Sequence, residues 1–249
     1  MKNELKKIND DFEKQIDSVA ELIKFDKLIL DFCLNHVKTL NDRLKNGAPK
    51  ITNQYYLADN TIQVLEGIQR NNSFTKHYSI LYNQCLVLLV SHFTLIIEEI
   101  FSTVLKHQYT NQKLPNAAKN QIQSIINEID EINQNPVLLK NFLVAKKKLT
   151  FQSLSSVAKS FDNYLGIEIP QDQKFDDIKF AFECRHVIVH NVSKADEKFI
   201  RKCNDIRNRN IKRNIFLDED INFTSSELEF VKISMLLFVQ ELTEDLLNS

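Results

Sequence analysis

Three glycines and four prolines in 249 residues set the tightest limit on what this chain can fold into. Average usage would supply about 17 and 12. Sandwiches, barrels and dinucleotide-binding sheets turn through such residues, and neither G-x-G-x-x-G nor G-x-x-x-x-G-K-[ST], the commonest phosphate-cradling loops, occurs. An all-helical bundle is the fold class that remains. With 43% apolar and 26% charged residues, the chain can bury roughly 70% of its unfolded surface, which excludes a disordered chain.

Thirty-two basic residues against 33 acidic ones give no global attraction to nucleic acid or membrane, so such a partner must be held locally. Cys33, Cys85, Cys184 and Cys203 form no C-x-x-C and no disulfide framework, which fits a reducing, cytoplasmic setting. The start, MKNELKKINDDFEK, is charged throughout and lacks the apolar core of a signal peptide. The longest apolar stretch, Cys85 to Ile97, is interrupted by Ser91 and His92 and reads as too short to span a bilayer. No membrane partner is expected.

Leu5, Ile8, Phe12, Ile16, Val19 and Ile23 recur at helical spacing, and Cys33, Val37, Leu40 and Leu44 resume it before Gly47 and Pro49. They predict one or two long helices. A shorter helical stretch lies around Tyr56 to Ile68, with a boundary near 73. Leu86, Leu89, Val90, Phe93, Ile97, Ile100, Phe101 and Val104 predict a central helix. Pro115 and Pro136 mark new helix starts. Leu154 to Tyr164 reads as a helix, Gly166 to Pro170 as a turn, and about 175 to 190 as a further helix. Asn191 to Asn222 reads as irregular. A last helix opens with a Thr224/Glu227 capping box and buries Leu228, Val231, Met235, Phe238, Leu242 and Leu246.

The segment with the densest chemistry is Phe182-Glu183-Cys184-Arg185-His186-Val187-Ile188-Val189-His190-Asn191. Ionisable groups this close to a core stripe are either paired or functional, because unpaired buried charge is costly. A guanidinium grips phosphate oxygens bidentately, and an imidazole exchanges protons near neutral pH; together they suffice to cleave a phosphodiester without metal. Five residues separate Arg185 from His190, about 140° around an ideal helix and roughly 7.5 Å along it. Two remedies exist, and both are expected to apply: His190 sits at a frayed helix end, and two chains face each other across a two-fold axis. The bland alternative is that Arg185 is salt-bridged and His190 caps the last carbonyls.

The string R-H-V-I-V-H-N, with Glu183 two residues before the arginine and Asp196-Glu197-Lys198-Phe199 after it, resembles the R-x(4–6)-H signature of HEPN domains. The resemblance covers about 74 to 249 and leaves 1 to 73 as an N-terminal helical extension. It implies a HEPN-type helical bundle. It also implies a metal-independent endoribonuclease of toxin–antitoxin, abortive-infection or other antiviral defence systems, leaving 2′,3′-cyclic phosphate ends. By resemblance Arg185 and His190 are the catalytic pair, His186 the polar residue after the arginine, Asn191 the residue after the histidine, and Glu183 a supporting group. Val192 stands where one subgroup carries a tyrosine that a partner enzyme modifies, which argues against that subgroup. The implied partners are RNA, a second copy of the chain in a homodimer, and an antitoxin or other defence protein.

Independently of the motif, Lys198, Arg201, Lys202, Arg207, Arg209, Lys212 and Arg213 stand against Asp205 alone, a local charge of +6 in a chain of −1. Such a strip suits an RNA backbone, and equally a solvated loop balanced by Glu197, Asp218, Glu219 and Asp220. Phe199 and Phe216 read as anchors of this loop to the core, with base stacking as the alternative. Lys146, Lys147 and Lys148 read as a solvated face. His186 and His190 at i, i+4 invite a metal reading, but no H-E-x-x-H or second E-x-x-H completes a site, and no cofactor is expected. His92 reads as a core or interface histidine, and Cys184 as a small core residue. The rival to the enzyme is a non-catalytic helical module for dimerisation or for RNA or protein binding.

Overall fold

The computed structural model describes residues 1–45, 59–67, 75–116, 118–120, 122, 138–145 and 149–248. The helices are α1 (Lys2–Lys45), α2 (Thr75–Thr110), α3 (Leu138–Ala145), α4 (Leu154–Leu165), α5 (Gln173–His190), α6 (Glu197–Asn204) and α7 (Ser225–Asn248), with short helical pieces at 59–67 and within 116–122. No strand occurs among the described residues, and one isolated antiparallel bridge joins Lys194 to Asp220. The all-helical expectation holds.

With no glycine or proline before Gly47, α1 runs unbroken. Its first half buries Leu5, Ile8, Phe12, Ile16 and Val19 as their spacing predicts. In its second half Leu34 and Asn41 are buried instead, while Cys33 and Leu40 are exposed. Of the one or two helices expected, one forms, and it keeps the phase of its first stripe, so the resumed spacing of Cys33 and Leu40 falls off that face. Asn41 Nδ2 donates to Asp59 Oδ1 at 2.8 Å and Lys38 pairs with Glu66 at 2.7 Å, tying the 59–67 piece to α1.

Helix α2 is the axis of the molecule and buries every residue of its expected face, from Leu86 to Val104. It packs against α1, α3, α4, α5 and α7. Reading only Cys85 to Ile97 as apolar understated it. The helix from Tyr78 to Thr110 has a mean hydropathy of 1.8 over its most apolar window, long and apolar enough to cross a membrane by length and composition alone. Here 44% of that window is buried against other helices. Phe93 lies at the crossing, its ring 6.2 Å from Phe12 of α1, 6.1 Å from Phe182 of α5 and 5.5 Å from Phe238 of α7. The core is therefore continuous across the boundary expected near 73, and α1 is part of it.

Caps set the ends of the later helices. Ser153 and Ser156 form a reciprocal capping box on α4, and Gly166, at φ 67, closes that helix in the left-handed conformation glycine adopts without strain. Asp172 caps α5 through the Phe175 N–H. Thr224 and Glu227 form the expected capping box on α7, and its buried stripe is the expected one. The segment read as irregular holds α6: Asp196 accepts the Phe199 N–H at 2.7 Å, and Phe199 and Cys203 are buried one turn apart. Lys146–Lys148 and Pro136 lie outside the described residues.

Among the described residues one charged group is wholly buried. Asp177 of α5 accepts from the Asn210 backbone N–H at 2.6 Å, from Asn210 Nδ2 at 2.8 Å and from Ser234 Oγ at 3.0 Å. A carboxylate so satisfied is tolerable in a core, and it fastens the loop after α6 and helix α7 to α5. Phe93→Ala should cost about 3–5 kcal/mol in urea unfolding, as expected for an aromatic removed from a packed core. Asp177→Ala should destabilise by about 3 kcal/mol and speed amide exchange at Asn210, because the donors it served lose their partner.

Candidate active site

Along α5, Lys179, Glu183, His186 and His190 share one helical face, with Phe182 at its buried edge and Arg185 about 100° around from His186. The two histidine rings lie 4.8 Å apart, tilted by 51°. Glu183, largely buried, accepts from Lys202 Nζ of α6 at 2.6 Å, which holds α6 across this face. Burial lowers the proton affinity of His186, and the positive charges of His190, Lys202 and Lys198 lower it further, outweighing Glu183. His186 is thus kept neutral beside a histidine and a lysine fringe.

His190 is the last residue of α5 and is exposed. It does not fray: the Asn191 N–H still donates to the Val187 carbonyl at 2.9 Å. Asn191 Nδ2 donates to the Lys194 carbonyl at 2.6 Å, so Asn191 shapes the turn that follows. Val192 and Ser193 then adopt left-handed backbone, φ 49 and 62. For a β-branched residue that is strained. Ser193 and Ala195 exchange backbone hydrogen bonds with the 218–221 segment. Asn83, buried on α2, donates to the Ile221 carbonyl at 2.7 Å and accepts the Phe223 N–H at 3.1 Å, pinning this return to the bundle. Sequence reasoning missed Asn83, which stands beside Gln84 just before the apolar run and carries no signal of its own.

Arg185 is half-buried and, among the described residues, makes no hydrogen bond or ion pair, so the salt bridge of the bland alternative does not form. Nor does any such contact join it to His190. Within one chain the pair stays divergent on an unbroken helix.

The basic strip divides. Lys198, Arg201, Arg207 and Lys212 are exposed, and Lys202 is engaged with Glu183. Arg209 and Arg213 are turned inward, a correction to their reading as strand-binding residues. Arg209 donates to the Ile211, Cys203 and Ile206 carbonyls and stacks 4.7 Å from the Phe180 ring. Arg213 donates to the Asn222 carbonyl at 2.8 Å and lies 5.0 Å over Phe223. A loop rich in backbone carbonyls and sparse in helix needs internal donors, and these two guanidinium groups supply them. The aromatic pair also divides: Phe199 is buried as an anchor, whereas Phe216 is 68% exposed.

Cys184 is fully buried and burial raises its thiol well above the ordinary range; Cys203 is pushed up to about 12 by the same cause. Neither is an activated nucleophile. Among the described residues no group of three or more His, Cys, Asp or Glu is placed to hold a metal ion. Comparison with protein-family models, curated proteins and solved structures finds no match to this chain.

Because the folded chain holds the His186 proton less tightly than an ordinary imidazole, its share of the folding stability is lost as pH falls through the window below 6.5. An NMR titration should place the His186 midpoint below 6.5, and His190→Ala should move it upward; an ordinary midpoint in both proteins would contradict the arrangement. Val192→Gly should stabilise the fold by about 1 kcal/mol in urea unfolding, through relief of the left-handed strain.

Proposed function

We propose that this protein is a metal-independent endoribonuclease of HEPN type, acting on RNA in the cytoplasm, with a 2′,3′-cyclic phosphate end as product. The observation that carries the reading is the face of α5, where the His186 and His190 rings lie 4.8 Å apart, tilted, beside a lysine fringe and an uncommitted Arg185. Neutral imidazole accepts a proton from a 2′-hydroxyl, and its conjugate acid protonates the leaving 5′-oxygen. In this reading His190 does that work beside His186, whose own proton affinity is lowered, and Arg185 neutralises the phosphate as charge builds on it. Lys198, Arg201, Lys202, Arg207 and Lys212 hold the strand by its backbone.

The 140° between Arg185 and His190 asks for a second chain. Exposed Val189, Val192, Phe216 and Leu217 lie at the same end of the molecule as His190, and a two-fold contact there would cover them. We therefore propose a homodimer with the two motifs at its interface, controlled by an antitoxin or other defence protein. The same divergence favours a second reading, a non-catalytic module in which Arg185 contacts a partner and His190 ends its helix.

Purified protein incubated with mixed RNA in EDTA should cleave it to cyclic phosphate ends. His190→Ala and Arg185→Ala should each lower the rate at least about a hundredfold with the melting temperature unchanged. No cleavage by the wild type, together with loss of dimerisation in Arg185→Ala, would establish the module instead. RNA affinity measured against salt should fall with a log–log slope of about −3, as four or five neutralised phosphates require on a single strand. Arg201→Ala should shallow that slope by about 0.7, whereas Arg209→Ala should lower stability and leave the slope alone.

A further inference from the structure

Beside the histidines, between α4, α5 and α6, lies a cavity of about 240 Å³ whose lining includes Ser155, Lys179, Phe182, Glu183, Lys202 and Asp205. It is smaller than the roughly 300–1,000 Å³ that hold drug-sized ligands, so it suits one ring system. Its charges cancel, two ammonium groups against two carboxylates. A phosphate would meet carboxylates as well as lysines, and a neutral apolar ligand would strand all four charges. Glu183 and Lys202 satisfy each other. Lys179, Asp205 and the Ser155 hydroxyl make no side-chain hydrogen bond or ion pair among the described residues. The cavity therefore offers a strong donor, a strong acceptor and a hydroxyl around an apolar wall.

A planar group that is itself both donor and acceptor matches that set. Among nucleobases guanine fits most directly: its O6 and N7 accept from an ammonium, and its amino group donates to a carboxylate. The position agrees. Glu183 is three residues before His186 on the same face, roughly 4.5 Å along the helix, so a base seated here belongs to a nucleotide adjoining one held at the histidines. We infer that this cavity is a guanine-binding subsite, through which the nuclease proposed above would select where a single strand is cut. The inference rests on that reading for its role in cleavage, but not for binding.

Calorimetric titration of GMP, AMP, CMP, UMP and ribose 5-phosphate into the full chain in EDTA tests it. GMP should bind at least about tenfold more tightly than the other nucleotides, and ribose 5-phosphate not at all. Ser155→Leu, which fills the cavity, should abolish GMP binding. Asp205→Asn, at an exposed position that carries little folding risk, should weaken GMP at least about tenfold while leaving the melting temperature unchanged. Equal binding of all four nucleotides, binding of ribose 5-phosphate as tight as that of GMP, GMP binding unaltered in both variants, or no binding would each overturn the assignment. The two readings fail separately. Absent GMP binding in a protein that still cleaves RNA removes the subsite alone, and GMP binding without cleavage removes the nuclease alone.

Discussion

Phe93 is the contact on which the rest of the molecule depends. Its ring meets those of Phe12, Phe182 and Phe238, and through them α2 fixes the mutual positions of α1, α5 and α7. Edge-to-face aromatic pairs are directional, each worth about 0.5–1.5 kcal/mol beyond the area they bury, so they set rotation about a helix axis as well as distance. For α5 rotation is what matters. With Phe182 turned into the core, Lys179, Glu183, His186 and His190 are left along one outward edge, and the site owes its existence to that choice.

The second constraint is the long return after α5. Its 191–222 segment has little helix and many backbone groups to satisfy, and beyond a short pairing of 193–195 with 218–221 it is held by side chains from the bundle. Asp177 takes Asn210, Asn83 takes Ile221 and Phe223, and Arg209 and Arg213 bind carbonyls within or beside the loop. The loop's positive charge is thus partly structural. That division, with Arg209 and Arg213 inside and Lys198, Arg201 and Arg207 outside, separates stability from any electrostatic role.

Where burial alone decides, the sequence was readable. The stripes of α2 and α7, the first half of α1 and the Thr224/Glu227 cap follow from apolar spacing and capping chemistry, and all are present. Reading failed where a decision depended on partners distant in the chain. Nothing local shows that Arg209 stacks on Phe180, or that Asn83 reaches residue 221. Helix α5 is the sharpest case. Phe175, Asp177, Ile178, Phe180, Ala181, Phe182, Cys184 and Val187 are buried on nearly every side of it, so no single apolar stripe announces which residues stay outside. The motif marked the segment; only packing sorted Glu183 and the histidines onto one edge with Arg185 beside it. The α6 helix was legible in principle from Asp196 followed by Phe199 and Cys203, but the surrounding asparagines and arginines obscured so short a pattern.

Divergence of Arg185 and His190 then limits what one chain can do. The helix between them is capped and continuous, and the strained turn that follows is tied back to α2, so the two side chains cannot converge by local unwinding at small cost. On the proposed reading, a strand crossing the end of α5 would meet His190 and Arg185 at points separated by about 140° and roughly 7.5 Å of rise. In a single chain those are two successive contacts on a backbone. Bringing both groups to one phosphate requires a second α5 approaching with opposite sense, so that the arginine of one helix faces the histidine of the other. On the proposed reading, chemistry at this motif would be a property of an assembly, and what one bundle supplies is a rigid, capped α5 that holds its own arginine and histidine apart.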